Sequence, residues 1–306
     1  MGRLGLDYEV LRTITPDLIM VSLPAFGRTG PASGQLAHGP TIEAAAGNLF
    51  LQGYDGEEGL PSGQLAWGDP IAGMNGAVAA LVALEYRART GRGTHVDLSH
   101  VESAIPLNFA AFLDRTVNGV LRGPQGNRDA QCAPQGCYPC RGEDRWLVVS
   151  CPDHDAWSRL CRAIGAGDLD RCELATVGAR REISAEIDAR IATWSRSRDR
   201  DEAVRTLQAA GIPAAPVNDA ADLDRDPQLQ ARGFFQAITH PEAGSHRYPG
   251  MPWRADLHPW MTPVPAPCFG EHNEEILRER LGLSGAEIRA LADDGVIADR
   301  PDSQGD

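Results

Sequence analysis

The sequence has no long apolar run. Its longest weakly polar stretch, Ile71 to Leu84, is bounded by Asp69 and Glu85 and contains Asn75. That falls short of the roughly 18 residues a membrane span needs. The amino terminus, Met1-Gly2-Arg3-Leu4-Gly5-Leu6-Asp7, has no apolar signal core, so secretion is not indicated. Basic residues are in deficit: 29 Lys and Arg against 42 Asp and Glu leave a net charge of −13. Nucleic acid is therefore a poor partner, because phosphate binding needs a net basic face. A local basic pocket for one phosphorylated small molecule is still allowed. Aromatics are only 6% and alanine is abundant, which suggests helices packed closely through small side chains. The seven cysteines are odd in number and irregularly spaced. Reduced thiols in a cytoplasmic protein fit them better than a disulfide framework. Gly27-Arg28-Thr29-Gly30 is too short for a P-loop, and no G-x-S-x-G elbow occurs. No internal repeat is visible.

What remains is an ordinary globular composition, 42% hydrophobic and 23% charged over 306 residues. That length suits about two domains at roughly 150 residues each. A short helix is expected over 7–13. Asp17 to Leu23 is nearly continuously apolar, as in a strand buried on both faces of a parallel sheet. The Gly/Pro loop after it, Pro24 to Pro31, lies where ligands usually sit in open α/β sheets. Further helices are expected at 41–46, at 70–89 with Gly91 just past its end, and at 101–118 despite Pro106. His95 to Ser99 reads as a brief extended segment. Residues 119–136 are polar and Gly/Pro-rich. Beyond them come a strand at 145–151, helices at 155–164, 181–196 and 201–210, a short strand within 211–217 and a helix at 220–232. An extended, proline-rich stretch fills 240–267, and closing helices cover 271–281 and 286–293.

Asp69 is the first candidate for chemistry. It opens the long helix in Trp67-Gly68-Asp69-Pro70, where the helix dipole and free N–H groups favour a carboxylate. That place suits an ordinary helix cap, and it equally suits a nucleophile, since carboxylates form covalent intermediates. His38, in a loop before a helix, is able to exchange protons near neutral pH, or is a plain surface histidine. Glu43 reads as a solvated helix charge. Arg3, Arg28 and Arg92 are able to meet phosphates, although each alone is an ordinary surface arginine. Cys132, Cys137 and Cys140 invite a zinc reading, but a C-x4-C followed by C-x2-C lacks the paired two-residue spacing and a well-placed fourth ligand, so no metal is expected. Cys161 and Cys172 read as buried small hydrophobes.

In order along the chain stand Arg3-Leu4-Gly5-Leu6, Ser22 to Pro31, Gly68-Asp69 at a helix start, and Arg89-Thr90-Gly91-Arg92-Gly93 leading to Val96-Asp97. Then follow Gly211-Ile212-Pro213, Pro216-Val217, Asp226-Pro227-Gln228-Leu229 and Gly270-Glu271-His272-Asn273. This ordered set resembles the class III CoA-transferases, the CaiB/BaiF family, over nearly the whole chain. The resemblance implies an α/β fold: a Rossmann-like large CoA-binding domain in 1–118, incomplete here, a linker in 119–135, a smaller α/β domain inserted at 136–225, and a returning segment with C-terminal helices in 226–306. It implies an interlocked homodimer and no permanently bound cofactor, coenzyme A thioester being the substrate.

Asp69 matches the family's nucleophile. It would attack an acyl-CoA, form an acyl-aspartyl anhydride and then an aspartyl-CoA thioester, and pass CoA to a second carboxylic acid. Arg3, Phe26, Gly27 and Arg92 are the expected CoA contacts. Three departures stand out. The family's segment upstream of Arg3 is missing, which implies a fragment, a misplaced start or a separate N-terminal partner chain. The transferases' Gly-rich lid is not evident in Gly126 to Gly136. His38 stands where transferases usually carry tyrosine and where the family's α-methylacyl-CoA racemases carry a catalytic histidine. A racemase or epimerase using His38 and Asp69 for 1,1-proton transfer is therefore the alternative, although Gly39 replaces the aspartate that follows that histidine. An inactive fragment or a subunit needing a partner is a second alternative.

Overall fold

Asp7 starts the first helix by accepting the Val10 N–H at 3.0 Å, and α1 runs Tyr8–Ile14. The computed structural model that shows this describes residues 2–54, 66–254 and 264–300. The apolar run after Pro16 becomes β1, Ile19–Ser22, which pairs in parallel with β2, Thr94–Asp97, Ile19 opposite Thr94 and Ser22 opposite Asp97. All four β1 residues are only half-buried, which corrects the expectation of burial on both faces. β2 is its one strand partner among the described residues, and α4, described next, packs against it. Between the two strands lie α2, Gly39–Ala45, α3, Asn48–Leu51, and the long α4, Gly68–Thr90.

Helix α4 ends at Gly91, whose left-handed backbone (φ 71°) lets its N–H bond back to Arg87 O. Its buried residues, Gly68, Ala72, Gly76 and Ala83, form one narrow stripe of small side chains. On its open side Met74, Val78, Leu81 and Val82 are each more than half exposed. Residues 101–118 were expected as one helix. Pro106 divides them into α5, His100–Ala104, a 3-10 turn, α6, Phe109–Leu113, and a wider π turn at Asp114–Asn118.

A three-stranded antiparallel sheet follows, in the order β3 (Gln135–Pro139), β4 (Trp146–Ser150), β5 (Ala214–Pro216). Strand β3 was not expected, because Gly136 and Pro139 disguise an edge strand, where the missing N–H of a proline is tolerated. The helices α7, His154–Ile164, α8, Val177–Glu182, α9, Ser184–Arg196, and α10, Arg200–Ala209, belong to the same module. α8 and α9 break at Ile183 what reads in sequence as one helix from 181. Asp153, Thr176 and Asp199 cap α7, α8 and α10 with side-chain oxygens. Leu147, Val149, Trp157, Leu160, Ile187, Ile191, Leu207 and Ile212 fill the largest core cluster. Arg180 lies inside it, donating to the carbonyls of Ala133, Leu174 and Ala175, with its guanidinium 5.7 Å from the Trp157 ring centroid.

The chain divides into two compact units, residues 1–216 and 217–306. In the second unit the expected helix at 220–232 splits into α11, Ala220–Arg225, and α12, Pro227–Ala231. Pro227 forces the division, and Asp226 between them is extended and caps α12. β6, Phe235–His240, and β7, Gly244–Pro249, form an antiparallel hairpin. Part of the stretch expected to be extended, 255–263, lies outside the described residues. The closing helices are α13, Asn273–Glu279, and α14, Gly285–Asp293. Among the described residues no helix is long and apolar enough to cross a membrane.

Candidate active site

Asp69 is the second residue of α4, and Trp67 holds the cap position. The expectation of a capping aspartate is corrected by the direction of its side chain. Asp69 turns away from the helix's own N–H groups and pairs with His100, Oδ1 lying 3.0 Å from the imidazole Nδ1. The carboxylate is half exposed, while the imidazole is four-fifths covered. The helix N-terminus still favours the negative charge.

The second oxygen, Oδ2, faces the start of α2. A Cβ built on Gly39 would lie 3.2 Å from Oδ2 and 2.1 Å from Ala66 Cβ, so only glycine fits there. His38, immediately before it, occupies the α2 cap position in extended conformation, exposed and without a side-chain capping bond.

Below the helix start lies a buried polar relay that sequence reasoning missed. Glu43 is almost fully buried, where a solvated charge was expected. Its Oε1 accepts the Gly68 N–H at 2.6 Å and its Oε2 accepts the Asn48 amide N–H. Asn48 Oδ1 accepts from Asn108 Nδ2, which also donates to Ala46 O at 3.0 Å. Both carboxylate oxygens are thus acceptors, one of them for the peptide N–H beside Asp69.

His100 owes its place to the start of α5. Ser99, buried, caps that helix by accepting the Glu102 N–H at 3.2 Å and donates to Ala25 O at 3.1 Å. The His100 N–H bonds Pro24 O at 3.3 Å. These bonds tie α5 to the loop leaving β1. Gly27 in that loop has φ 83° and passes close to Ser99, and Phe26 beside it is half-buried. The signal in the sequence was Ser99-x-x-Glu102, a helix-start signature one residue ahead of the expected helix.

The carboxyl ends of the two strands thus gather Phe26, Gly27, His100 and Asp69, with His38 one residue from Gly39. The arginines are placed differently. Arg28 turns toward the strands: its N–H bonds both oxygens of Asp97 at 3.1 Å and its guanidinium reaches His95 at 2.8 Å. Burial, then the Arg28 charge, pushes the His95 imidazole below its ordinary range. Ser22 Oγ lies 2.9 Å from His95 Nε2. Arg92 follows the far end of α4, which at 1.5 Å per residue lies about 32 Å along the axis from Asp69, and the helix holds the two apart. Arg3 is exposed in the turn Gly2–Leu4 ahead of α1.

Among the described residues no three His, Cys, Asp or Glu converge as for a metal ion. Cys161 is buried as expected, but Cys172 is exposed in a 3-10 turn, which corrects that expectation. A cavity of 340 Å³ in the smaller module, lined by Arg128, Cys132, Arg180 and Asp188 among others, does not include Asp69, whose carboxylate opens directly to the surface.

The arrangement supplies a half-exposed, oriented carboxylate with one oxygen held by His100 and the other turned toward Gly39, the residue after His38. Comparison with known proteins places the chain among CoA-transferases. The chain is 30% identical to a probable CoA-transferase of Mycobacterium tuberculosis, over 96% of this chain and 38% of that protein. It is also 30% identical to the succinyl-CoA–D-citramalate CoA-transferase of Chloroflexus aurantiacus, over 96% of this chain and 73% of that enzyme. The crystal structure of a CaiB/BaiF family protein from Brucella suis superposes with a TM-score of 0.78 at 26% identity, covering 91% of this chain and 72% of that one. The family profile of CoA-transferase family III matches residues 1–273, and the chain belongs to that family.

Proposed function

We propose that the chain moves CoA between an acyl-CoA thioester and a carboxylic acid, with Asp69 as the nucleophile. The observation that carries this reading is the half-exposed carboxylate held by His100 through one oxygen, with the other turned toward Gly39, which has no side chain to cover it. Oδ2 attacks the thioester carbonyl and gives an acyl-aspartyl anhydride with release of CoA thiolate. The thiolate attacks Cγ of Asp69, expels the first acid and leaves an aspartyl-CoA thioester. The acceptor acid reverses these steps. Phe26 and Gly27 line the CoA approach at the carboxyl end of β1, His38 lines the acyl side, and Arg3 and Arg92 meet more distant parts of CoA. No permanently bound cofactor is needed.

Residues 2–118 would form part of a Rossmann-like CoA domain, with 136–225 as the inserted module and the remainder returning to the large domain. A second copy of the chain would cover the apolar stripe of Met74, Val78, Leu81 and Val82 in an interlocked homodimer. The donor and acceptor classes follow the Chloroflexus relative: a short dicarboxylic acyl-CoA and a small polar acid.

Intact-mass spectrometry after incubation with succinyl-CoA, followed by a panel of short acyl-CoA thioesters, tests the reading. An adduct removed by hydroxylamine, and mapped to Asp69 after borohydride reduction, is the expected result. Asp69→Asn should fold and yet transfer no CoA, because an amide has no anionic oxygen to attack with. Transfer by Asp69→Asn at the original rate would refute the assignment. The alternative, proton exchange by His38 and Asp69, is favoured by the nearness of the His38–Gly39 peptide to Oδ2. It predicts stereospecific deuterium entry into a 2-methylacyl-CoA, lost in His38→Ala.

A further inference from the structure

We infer that His100 is the oxyanion donor for the steps in which Asp69 itself is attacked. This rests on Asp69 being the nucleophile.

The tautomer is set by the partner. An ionised carboxylate only accepts, so the imidazole nitrogen 3.0 Å from Oδ1 carries a proton and donates it. The donor is also held in place. His100 is the first residue of α5, whose start is fixed by the Ser99 cap, by Ser99 Oγ on Ala25 O and by the His100 N–H on Pro24 O. The nucleophile is held from the other side, where Glu43 accepts the Gly68 N–H.

With Oδ1 engaged, Oδ2 makes the first attack. In the resulting anhydride Oδ2 bridges to the acyl group and Oδ1 becomes the carbonyl oxygen of Asp69. When CoA thiolate attacks Cγ, a C–S bond forms and the carbonyl π pair moves onto Oδ1. Collapse returns that pair and breaks the Cγ–Oδ2 bond, so the first acid departs as a carboxylate carrying Oδ2. When the acceptor carboxylate attacks the aspartyl-CoA thioester, a C–O bond forms at Cγ, the charge again gathers on Oδ1, and CoA thiolate departs. In both steps the negative charge develops on the atom that His100 already holds. A preplaced donor contributes most where charge appears during the reaction. In the first step the charge develops on the substrate's own oxygen, and His100 does not reach it through Oδ1. In the last step CoA thiolate attacks the acceptor's acyl carbonyl and releases the Asp69 carboxylate, so the same group acts on the two steps at Cγ and spares the first and the last.

Quench-flow with intact-mass detection separates these steps. The unmodified chain and the variants His100→Leu and His100→Asn are mixed with succinyl-CoA, and the succinyl-aspartyl and aspartyl-CoA masses are followed in time. In His100→Leu the succinyl-aspartyl species should form at close to the original rate and accumulate. Its conversion to aspartyl-CoA should slow by about 10²–10³-fold, the usual consequence of removing one such donor. Asn places an N–H near the position of Nδ1, so His100→Asn should restore most of that conversion. A merely structural histidine would depress both species together, and Asn would not rescue one step selectively. Aspartyl-CoA formation at the original rate in His100→Leu overturns the inference, as does equal loss of both species in the two variants. If the unmodified chain gives no Asp69 adduct, the nucleophile reading itself falls and this inference with it.

Discussion

Replacing Glu43 by Gln would change one atom in a group that sequence reading took for a surface charge. In the structure both Glu43 oxygens accept, from Gly68 N–H on one side and from the Asn48 amide on the other. A glutamine offers one oxygen and one NH2, so one of those donors must face another donor. The conflict is not relieved by turning the neighbouring amides. Asn48 must keep its oxygen toward Asn108, and Asn108 must keep its NH2 toward Ala46 O, a backbone acceptor that does not invert. The relay runs between two fixed backbone groups, and its direction requires a double acceptor in the middle. An unsatisfied buried donor costs about 1–3 kcal/mol. Glu43→Gln should therefore lower the melting midpoint of the region around Asp69 by roughly 4–24 °C, if that region melts as a unit of about 100 residues. Glu43→Ala orphans both donors and should cost about 2–6 kcal/mol, a large share of a typical domain stability of about 5–15 kcal/mol. Scanning calorimetry reads the shift, and amide hydrogen exchange at Gly68 reads the lost bond directly. A Glu43→Gln protein that melts within a degree of the unmodified one, with Gly68 still protected, would refute the fixed direction of the relay.

Three further outcomes are expected. Arg180→Leu leaves the carbonyls of Ala133, Leu174 and Ala175 without their donor inside the core, and denaturant titration should show a loss of more than about 3 kcal/mol. Burial pushes the Cys151 and Cys161 thiols up to about 12, so both stay protonated at pH 8. Iodoacetamide should label exposed Cys172 there in the native protein and spare those two until it unfolds, as peptide mass mapping would show. Gly93→Ala would set a Cβ 2.1 Å from Leu18 O and 2.4 Å from Asp17 C, and should part β1 from β2; circular dichroism unchanged from the parent would contradict this.

Much of the element order was readable from local pattern. Asp7, Gly91 and the β-branched run before Ser22 each act through neighbours in the chain, and their elements fell where expected. The failures share a cause, since they depend on groups distant in sequence. Strand β3 is held by β4 and conceals itself behind Gly136 and Pro139. The break at Ile183 is invisible to helical periodicity. Asp69 stood out as a residue, but its orientation comes from His100, 31 positions away, and from Glu43 acting on Gly68, 25 positions away. No local spacing encodes those pairs. Arg92 is a different case: motif order groups it with Asp69, and the length of α4 sets it at the other end of that helix, where it would meet only a distant part of CoA.

Nineteen buried residues from Tyr138 to Ile212 form the cluster of the smaller module, whereas Ile42, Ala46 and Ala104 are the buried cluster beside Asp69. Opening free energies follow local apolar burial, so these two regions should not loosen together. On gentle heating, amides of α2, α3 and α5 should exchange with solvent well before those of α7, α9 and α10. Catalytic output then fades while most of the circular dichroism persists, and the protein loses its carboxylate's alignment as a local event with its own midpoint. A stabilising substitution in the larger cluster would raise the bulk melting curve and leave the working temperature of the enzyme where it was. Useful gains for heat tolerance would instead come from filling space around Ile42 and Ala104.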